Sequence, residues 1–427
     1  MLIRLFIVLG PAYILSQFLR NSIAVLGPEL SVSLDVGSAG LGTMTGAFFL
    51  GFAAMQLPVG MALDRFGPRR VMASFMIIVA LGCAVFAMAD DLFMLMAGRV
   101  LMGVGCAPLL MGAMVIFARA FEPDRFASLT SLQLAIGNSG ILLATSPFAL
   151  LIEQTGWRIS LFGAAALACG FVILMLLALP ESLRGRSLSS GRSEGLIQSL
   201  QGVGQILADR RLWPLMPLLF CGYGSVVSIT ALWGGPYLAD IYGLQAVDRG
   251  NVLLLMASGS VIGPLCFGPL DRRFNSRKWI VVPGCGMVMA IFMLLAFWGR
   301  PPLWLLPGLF FLISAGTGYF SVAVAHARSL YSYETIGRGM TVSNMLVMGG
   351  VGILQPLSGL VARWFQGDMA PLDQMAALPE NAYRAVFGFL GACLLLSLLS
   401  YLRAPDSKPF KPQEPPDPAF RPEHRDG

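Results

Sequence analysis

Two arginines stand where charge is costly. Of 29 basic residues, Arg20 and Arg99 fall inside long apolar runs, and none of the 23 acidic residues clearly does. A guanidinium in an apolar setting needs a partner. Its planar fork matches a carboxylate, a phosphate or a similar anion through paired hydrogen bonds. With no carboxylate available in the same runs, the chemistry these residues point to is anion recognition. The structural alternative is that each arginine caps backbone carbonyls or polar neighbours and fixes helix packing.

Polar faces accompany them. Tyr13, Ser16, Gln17 and Arg20 fall at i, i+3, i+4 and i+7, one face of a helix. Ser314, Thr317, Gly318 and Ser321 keep the same spacing, and Tyr223 shares a face with Thr230. Gln133, Asn138, Asn344 and Gln355 are polar residues in two further runs. Each set serves either a solute or interhelical hydrogen bonds. The candidate solute contacts are Arg20, Gln17, Tyr13, Arg99, Tyr223 and Asn344. Trp233, Gly234, Gly235, Pro236 and Tyr237 read as a flexible outer gate. His326 reads as an interfacial histidine near Arg328, with a proton relay as the alternative, and His424 lies in the tail. The seven cysteines all sit in apolar runs without a C-x-x-C pair, so they read as small buried hydrophobes, with no metal or disulfide framework.

The elements that must position these residues are membrane helices. Hydrophobic residues make up 56% of the 427-residue chain and charged residues 12%, about half the charge of a soluble domain. A helix crosses a bilayer core with about 20 apolar residues. Twelve such runs are expected near 5–26, 40–62, 71–89, 92–117, 128–152, 159–180, 213–237, 249–269, 279–298, 303–326, 338–362 and 383–402. The fold expected is an all-α membrane protein. Loop charge sets its orientation: with the N-terminus cytoplasmic, 22 Lys and Arg residues fall on that side and 5 opposite, so both termini are expected in the cytoplasm. The first apolar run reads as a retained span, not a cleaved signal. Arg20 and Arg99 then sit about 10 Å below the outer ends of their spans.

The chain divides into a six-helix bundle over 1–180, a linker over 181–212, a second bundle over 213–403 and a tail over 404–427. Leu196, Leu200, Val203 and Leu207 give the linker a short amphipathic helix. Seven prolines in the 24 residues of the tail predict disorder. The halves repeat: Gly140, Ile141 and Leu142 recur as Gly352, Ile353 and Leu354, and Ser131 as Ser343, each 212 residues on.

A loop signature repeats as well. Gly60, Asp64, Arg65, Gly67, Arg69 and Arg70 lie between the second and third runs. A looser copy, Asp271, Arg272, Arg273, Arg277 and Lys278, follows 207 residues later with Phe274 at the Gly67 position. Arg99, Gly103, Gly105 and Ala107 form a third pattern in the fourth run. Together these resemble the major facilitator superfamily of transporters, and parts are similar to its anion and nitrate-porter branches. The resemblance implies two bundles rocking around a central site lined by spans 1, 4, 7 and 10, which would bring Arg20 and Arg99 to one pocket. It also implies a gating role for Asp64, Arg65, Gly67, Arg69, Arg70, Asp271 and Arg272. The fifth run has Gly137, Gly140 and then Pro147, and lacks the Gly-Pro motif of the family's drug/proton antiporters.

The function expected is alternating-access transport of a small organic or inorganic anion across the cell inner membrane, by a monomer without cofactor or nucleic acid. Arg20 would hold the negative group, Tyr13 and Gln17 would orient the solute, and Arg99 would assist or tune coupling. The alternative is a drug or metabolite exporter of the same fold, indifferent to loss of Arg20. An enzyme is not expected, because the chain carries no catalytic cluster and no large soluble domain.

Overall fold

A computed structural model describes residues 2–121, 123–179, 204–268, 270–331, 336–366 and 378–407. Among them the secondary structure is helical throughout. The first half comprises α1 (Leu2–Asn21), α2 (Ile23–Leu34), α3 (Ser38–Ala54), α4 (Gln56–Phe66), α5 (Pro68–Ala87), α6 (Leu92–Cys106), α7 (Pro108–Ala120), α8 (Pro123–Leu143), α9 (Ser146–Thr155) and α10 (Trp157–Ala178). The second comprises α11 (Met216–Ser228), a π-helical turn (Ile229–Trp233), α12 (Gly234–Tyr242), α13 (Ala246–Phe267), α14 (Leu270–Arg273), α15 (Lys278–Trp298), α16 (Leu306–Ala315), α17 (Thr317–Leu330), α18 (Ile336–Gln366) and α19 (Glu380–Tyr401).

Ten helices in this set are long and apolar enough to cross a membrane. An eleventh crossing is a broken one, in which Leu132–Leu143 and Ser146–Thr155 meet at 46°. The first expected span is instead two helices, α1 and α2, meeting at Ser22 and reaching Leu34. That extension corrects the depth of Arg20, which stands 14 residues before the end of α2, about 21 Å along a helix axis. Many large side chains face outward, among them Trp304 at 80% exposure and Trp364 at 86%. On a chain this apolar, such a surface is a lipid contact.

Small residues bring the helices together. A Cβ at Gly140 would overlap the carbonyl oxygen of Ile14, and one at Gly350 would overlap that of Phe220. The two halves thus use glycine on α8 and α18 to seat α1 and α11 backbone to backbone, the packing available to helices in lipid. Three cysteines, Cys83, Cys106 and Cys285, are buried as expected, but Cys169 and Cys266 are exposed. Exposure on a membrane helix means contact with lipid, which sequence apolarity does not distinguish from a core.

The signature loop shows why the second copy differs. Gly67 joins α4 to α5 at φ 79°, left-handed backbone that favours glycine. Phe274 cannot serve there, and the left-handed residue of the second loop is Asn275, φ 45°, one position on. Arg69 donates to the carbonyl of Leu176 at the end of α10. Arg65 and Arg70 are exposed. The side chains of Asp64 and Arg272 lie outside the described residues. Asp271 pairs with Arg277 at 3.6 Å.

Residues 204–208 are helical, with Ile206 packed against Leu212 and Val342; Leu196, Leu200 and Val203 lie outside the described residues. The start of the tail departs from the disorder expected. Ser276 Oγ and the Lys278 N–H donate to Asp406, at 2.8 and 3.0 Å, and the Arg277 N–H donates to the Ser407 carbonyl. Partial burial alone would raise the Asp406 carboxyl; these hydrogen bonds outweigh it and leave the group below its ordinary value. The rest of the tail lies outside the described residues.

Candidate functional site

A cavity of about 170 Å³ lies between the halves. α1 supplies Gln17, Arg20 and Asn21, α8 supplies Asn138, and the second half supplies Tyr223, Thr230, Ser260, Ser314, Thr317 and Ser321 with apolar neighbours. Of the six expected contacts, the structure brings Arg20, Gln17 and Tyr223 to the cavity.

Arg20 is 7% exposed, and its guanidinium lies over Phe52 and Phe49, 4.9 and 5.7 Å from the ring centroids. The rings hold the cation without neutralising it. Among the described residues no carboxylate pairs with Arg20, and its Nε has no hydrogen-bond partner. Gln17 Nε2 donates to Asn138 Oδ1 at 3.2 Å, joining two helices of the first half at the cavity wall.

The other three expected contacts go elsewhere, each for a packing reason. Tyr13 lies against Gly137 of α8, where a Cβ would overlap its ring. Arg99 is 1% exposed; Nη1 donates to the Leu19 carbonyl at 2.6 Å, and the guanidinium lies 4.6 Å from the Phe48 centroid. It stands behind Arg20, at the break between α1 and α2, where Ser22 Oγ also donates to Leu19 at 3.0 Å. Asn344 donates across the halves to Gln56 Oε1 at 2.9 Å. His326 is fully buried, not interfacial, with Nδ1 2.7 Å from the Tyr401 hydroxyl.

The halves meet closely at the end that is poorer in Lys and Arg. Cβ atoms at Gly42 and Gly46 of α3 would meet the carbonyl oxygens of Gln355 and Gly352 on α18 at 2.5 and 2.6 Å. Gly235, in the segment read as an outer gate, sits against the Ala24 carbonyl of α2. Ser146 Oγ donates to Asn251 Oδ1 at 2.9 Å.

Arg249 corrects the charge map. Counted as an outer-loop residue, it lies inside α13 at 4% exposure and reaches Glu29 of α2 at 3.7 Å. Glu29 and Asp240 are likewise in helices that run past the expected span ends. Asp240 accepts from the Tyr383 hydroxyl and the Leu378 N–H, at 2.6 and 3.1 Å. Reading along the sequence missed Asn21, Ser260 and the Glu29–Arg249 contact. Ser260 had a signal, one of two hydroxyls, with Ser258, in an apolar stretch.

Comparison with known proteins agrees with this architecture. Residues 9–324 and 236–425 match the family model described as Major Facilitator Superfamily. The chain is similar to a putative tartrate transporter of Agrobacterium vitis, 24% identical, with 70% of this chain and 74% of that one covered. It is also similar to a probable sulfoacetate transporter, SauU, of Cupriavidus necator, 24% identical, covering 62% and 64%. The methylenomycin A resistance protein of Bacillus subtilis is 24% identical over 91% of this chain and 95% of its own. Among solved structures, the nucleoside transporter NupG superposes with a TM-score of 0.74 at 14% identity, covering 93% of this chain and 99% of that one. A bacterial homolog of the human lysosomal transporter Spinster, inward-facing and unoccupied, gives 0.72 at 18% identity, covering 94% and 96%.

Proposed function

We propose that this chain, which belongs to the major facilitator superfamily and is a multi-pass membrane transporter, carries a small anion through the cavity at Arg20. The observation that carries this reading is a nearly buried guanidinium in the cavity wall with no carboxylate partner among the described residues. A solute carboxylate or sulfonate would supply the missing charge and fill the fork. The tartrate and sulfoacetate relatives bear names of solutes of this class.

The seal at the end poorer in Lys and Arg supports an inward-facing arrangement. Loop asymmetry supports cytoplasmic termini and an inner-membrane location. Alternating access then requires the outer seam to part and the cytoplasmic ends to close. The methylenomycin relative favours a second reading, efflux of a less polar solute, with the apolar side chains of the cavity wall, Val226, Val227 and Phe320, as its contact surface.

Binding titrations on purified protein with a panel of small carboxylates and sulfonates separate the two. The parent should bind a member of the panel, Arg20→Gln should not, and Arg20→Lys should bind weakly, because lysine keeps the charge and loses the planar fork. Undiminished binding by Arg20→Gln would sink the anion reading and favour efflux.

A further inference from the structure

We infer that this transporter is an exchanger, which moves one anion in one direction for each anion it moves in the other. This rests on the reading of Arg20 as the anion site and adds the mode of transport. The charge of the cavity, followed through one cycle, requires it.

In an alternating-access carrier the cavity shuts at both ends between its two open states. Shutting removes the water that screens a charge in the wall, and an uncompensated charge in a dry interior is costly. Arg20 is 7% exposed, and it lines the cavity. Its Nε has no hydrogen-bond partner among the described residues. The rings of Phe49 and Phe52 offset part of the cost of the bare cation and leave its charge in place.

The countercharge must come from the wall or from the solute. Among the lining residues the titratable side chains are Arg20 and Tyr223. Tyr13, Cys106 and Arg99 also feel the charge of Arg20. A phenol and a thiol are ordinarily neutral at pH 7, and Arg99 adds a second positive charge. Glu29, the nearest acidic residue along the chain, stands nine residues on, about 14 Å along a helix axis. It is engaged by Arg249 at 3.7 Å. Asp240 is held by the Tyr383 hydroxyl and the Leu378 N–H, and His326 by the Tyr401 hydroxyl.

The modes of transport differ in what faces Arg20 on the return leg. Uniport returns the carrier without solute, so the guanidinium is bare when the cavity shuts. Proton symport returns it with a carboxylate or other base of the wall against the arginine, and that base carries the proton on the loaded leg. Among the described residues the cavity has no such base. Exchange returns the carrier with an anion on Arg20, so the guanidinium is paired each time the cavity shuts. The counter-solute fits the same planar fork, as a carboxylate, a sulfonate or inorganic phosphate does.

The experiment follows single molecules of the full-length protein in lipid nanodiscs, by energy transfer between fluorophores at the outer ends of α2 and α13. The probe anions are lactate, succinate, methanesulfonate and hydrogen phosphate, added as a mixture or omitted. Without them the parent should switch between outer-closed and outer-open distances at least about tenfold more slowly than Arg20→Gln. Arg20→Lys should stay as slow as the parent, because it keeps the charge. The mixture should speed the parent at least about tenfold and leave Arg20→Gln unchanged. A parent that switches as fast as Arg20→Gln without anions would overturn exchange. So would equal, fast switching in Arg20→Gln and Arg20→Lys, which would make packing the barrier instead of charge. A mixture that leaves the parent slow would also overturn it, and titration of the same anions then separates the causes. Binding without acceleration leaves the anion reading standing, whereas absence of binding removes both. If Arg20→Gln fails to fold, the response of the parent to the mixture decides.

Discussion

Arg249 Nη2 lies 3.7 Å from Glu29 Oε1 and 3.5 Å from the Val25 carbonyl oxygen, so one buried guanidinium of the second half holds two groups of α2 in the first. Glu29 is 40% exposed and stays hydrated when released, whereas Arg249 is almost fully buried. The contact can form only while the outer ends are together. It therefore favours the closed seam by its own interaction free energy.

Arg249→Met should shift the protein toward an outer-open state. The half-exposed pair is worth about 1–2 kcal/mol, or roughly five- to thirtyfold in the ratio of states. Spin labels at the outer ends of α2 and α13 measure this directly. The longer-distance population should grow in the variant, and an unchanged distance distribution would remove Arg249 from the seam's energetics.

Gly235→Ala should act in the same direction by steric means. Its Cβ would overlap the Ala24 carbonyl oxygen, a backbone atom that cannot turn aside. With the seven native cysteines replaced, Thr230→Cys reports cavity access from outside through a membrane-impermeant thiol reagent. Labelling should speed up several-fold in Gly235→Ala; equal rates would mean that the seam tolerates the methyl group.

Arg99 and Arg20 should separate in function. Arg99→Met removes a donor from Leu19 without touching the cavity. Its solute affinity should stay within about threefold of the parent, while transport slows because the Leu19 carbonyl at the α1–α2 break has lost one of its two side-chain donors. Arg20→Gln should lose affinity outright. Equivalent loss of affinity in both variants would place Arg99 in the binding site.

How legible the site was depended on the kind of information involved. The polar face of span 1 was visible because helical spacing is local, and Gln17 and Arg20 do line the cavity. Tyr13 shares the stripe yet turns to Gly137, because the partner that makes room for it is a glycine 124 residues away. Asn344 fails similarly: its partner Gln56 belongs to the other half. Arg249 and Glu29 were misplaced by hydropathy, which ends a span where charge begins although the helix continues. The fold itself was readable, since apolar runs, loop charge and a repeated loop signature need no tertiary information.

Asp64→Asn should depress transport far more than it depresses the amount of folded protein in the membrane. The loop copy in the second half supports an electrostatic role, as Asp271 there holds Arg277 at 3.6 Å. Transport into reconstituted vesicles, normalised to protein inserted, gives the test. Rates equal to the parent would reject a gating role for this carboxylate.

The glycine seam between α3 and α18 carries a thermodynamic consequence. Closing two surfaces ordinarily freezes side-chain rotamers, up to about 1.5–2 kcal/mol for each long side chain. At Gly42, Gly46 and Gly359 the nearest atom across the seam is backbone, and glycine has no rotamers to lose. Each closure of the outer end is therefore nearly free of this entropic penalty, and each opening gains little from its release. At such a boundary the balance between the two states is left to direct contacts such as Arg249–Glu29 and to the differential interaction of a bound solute.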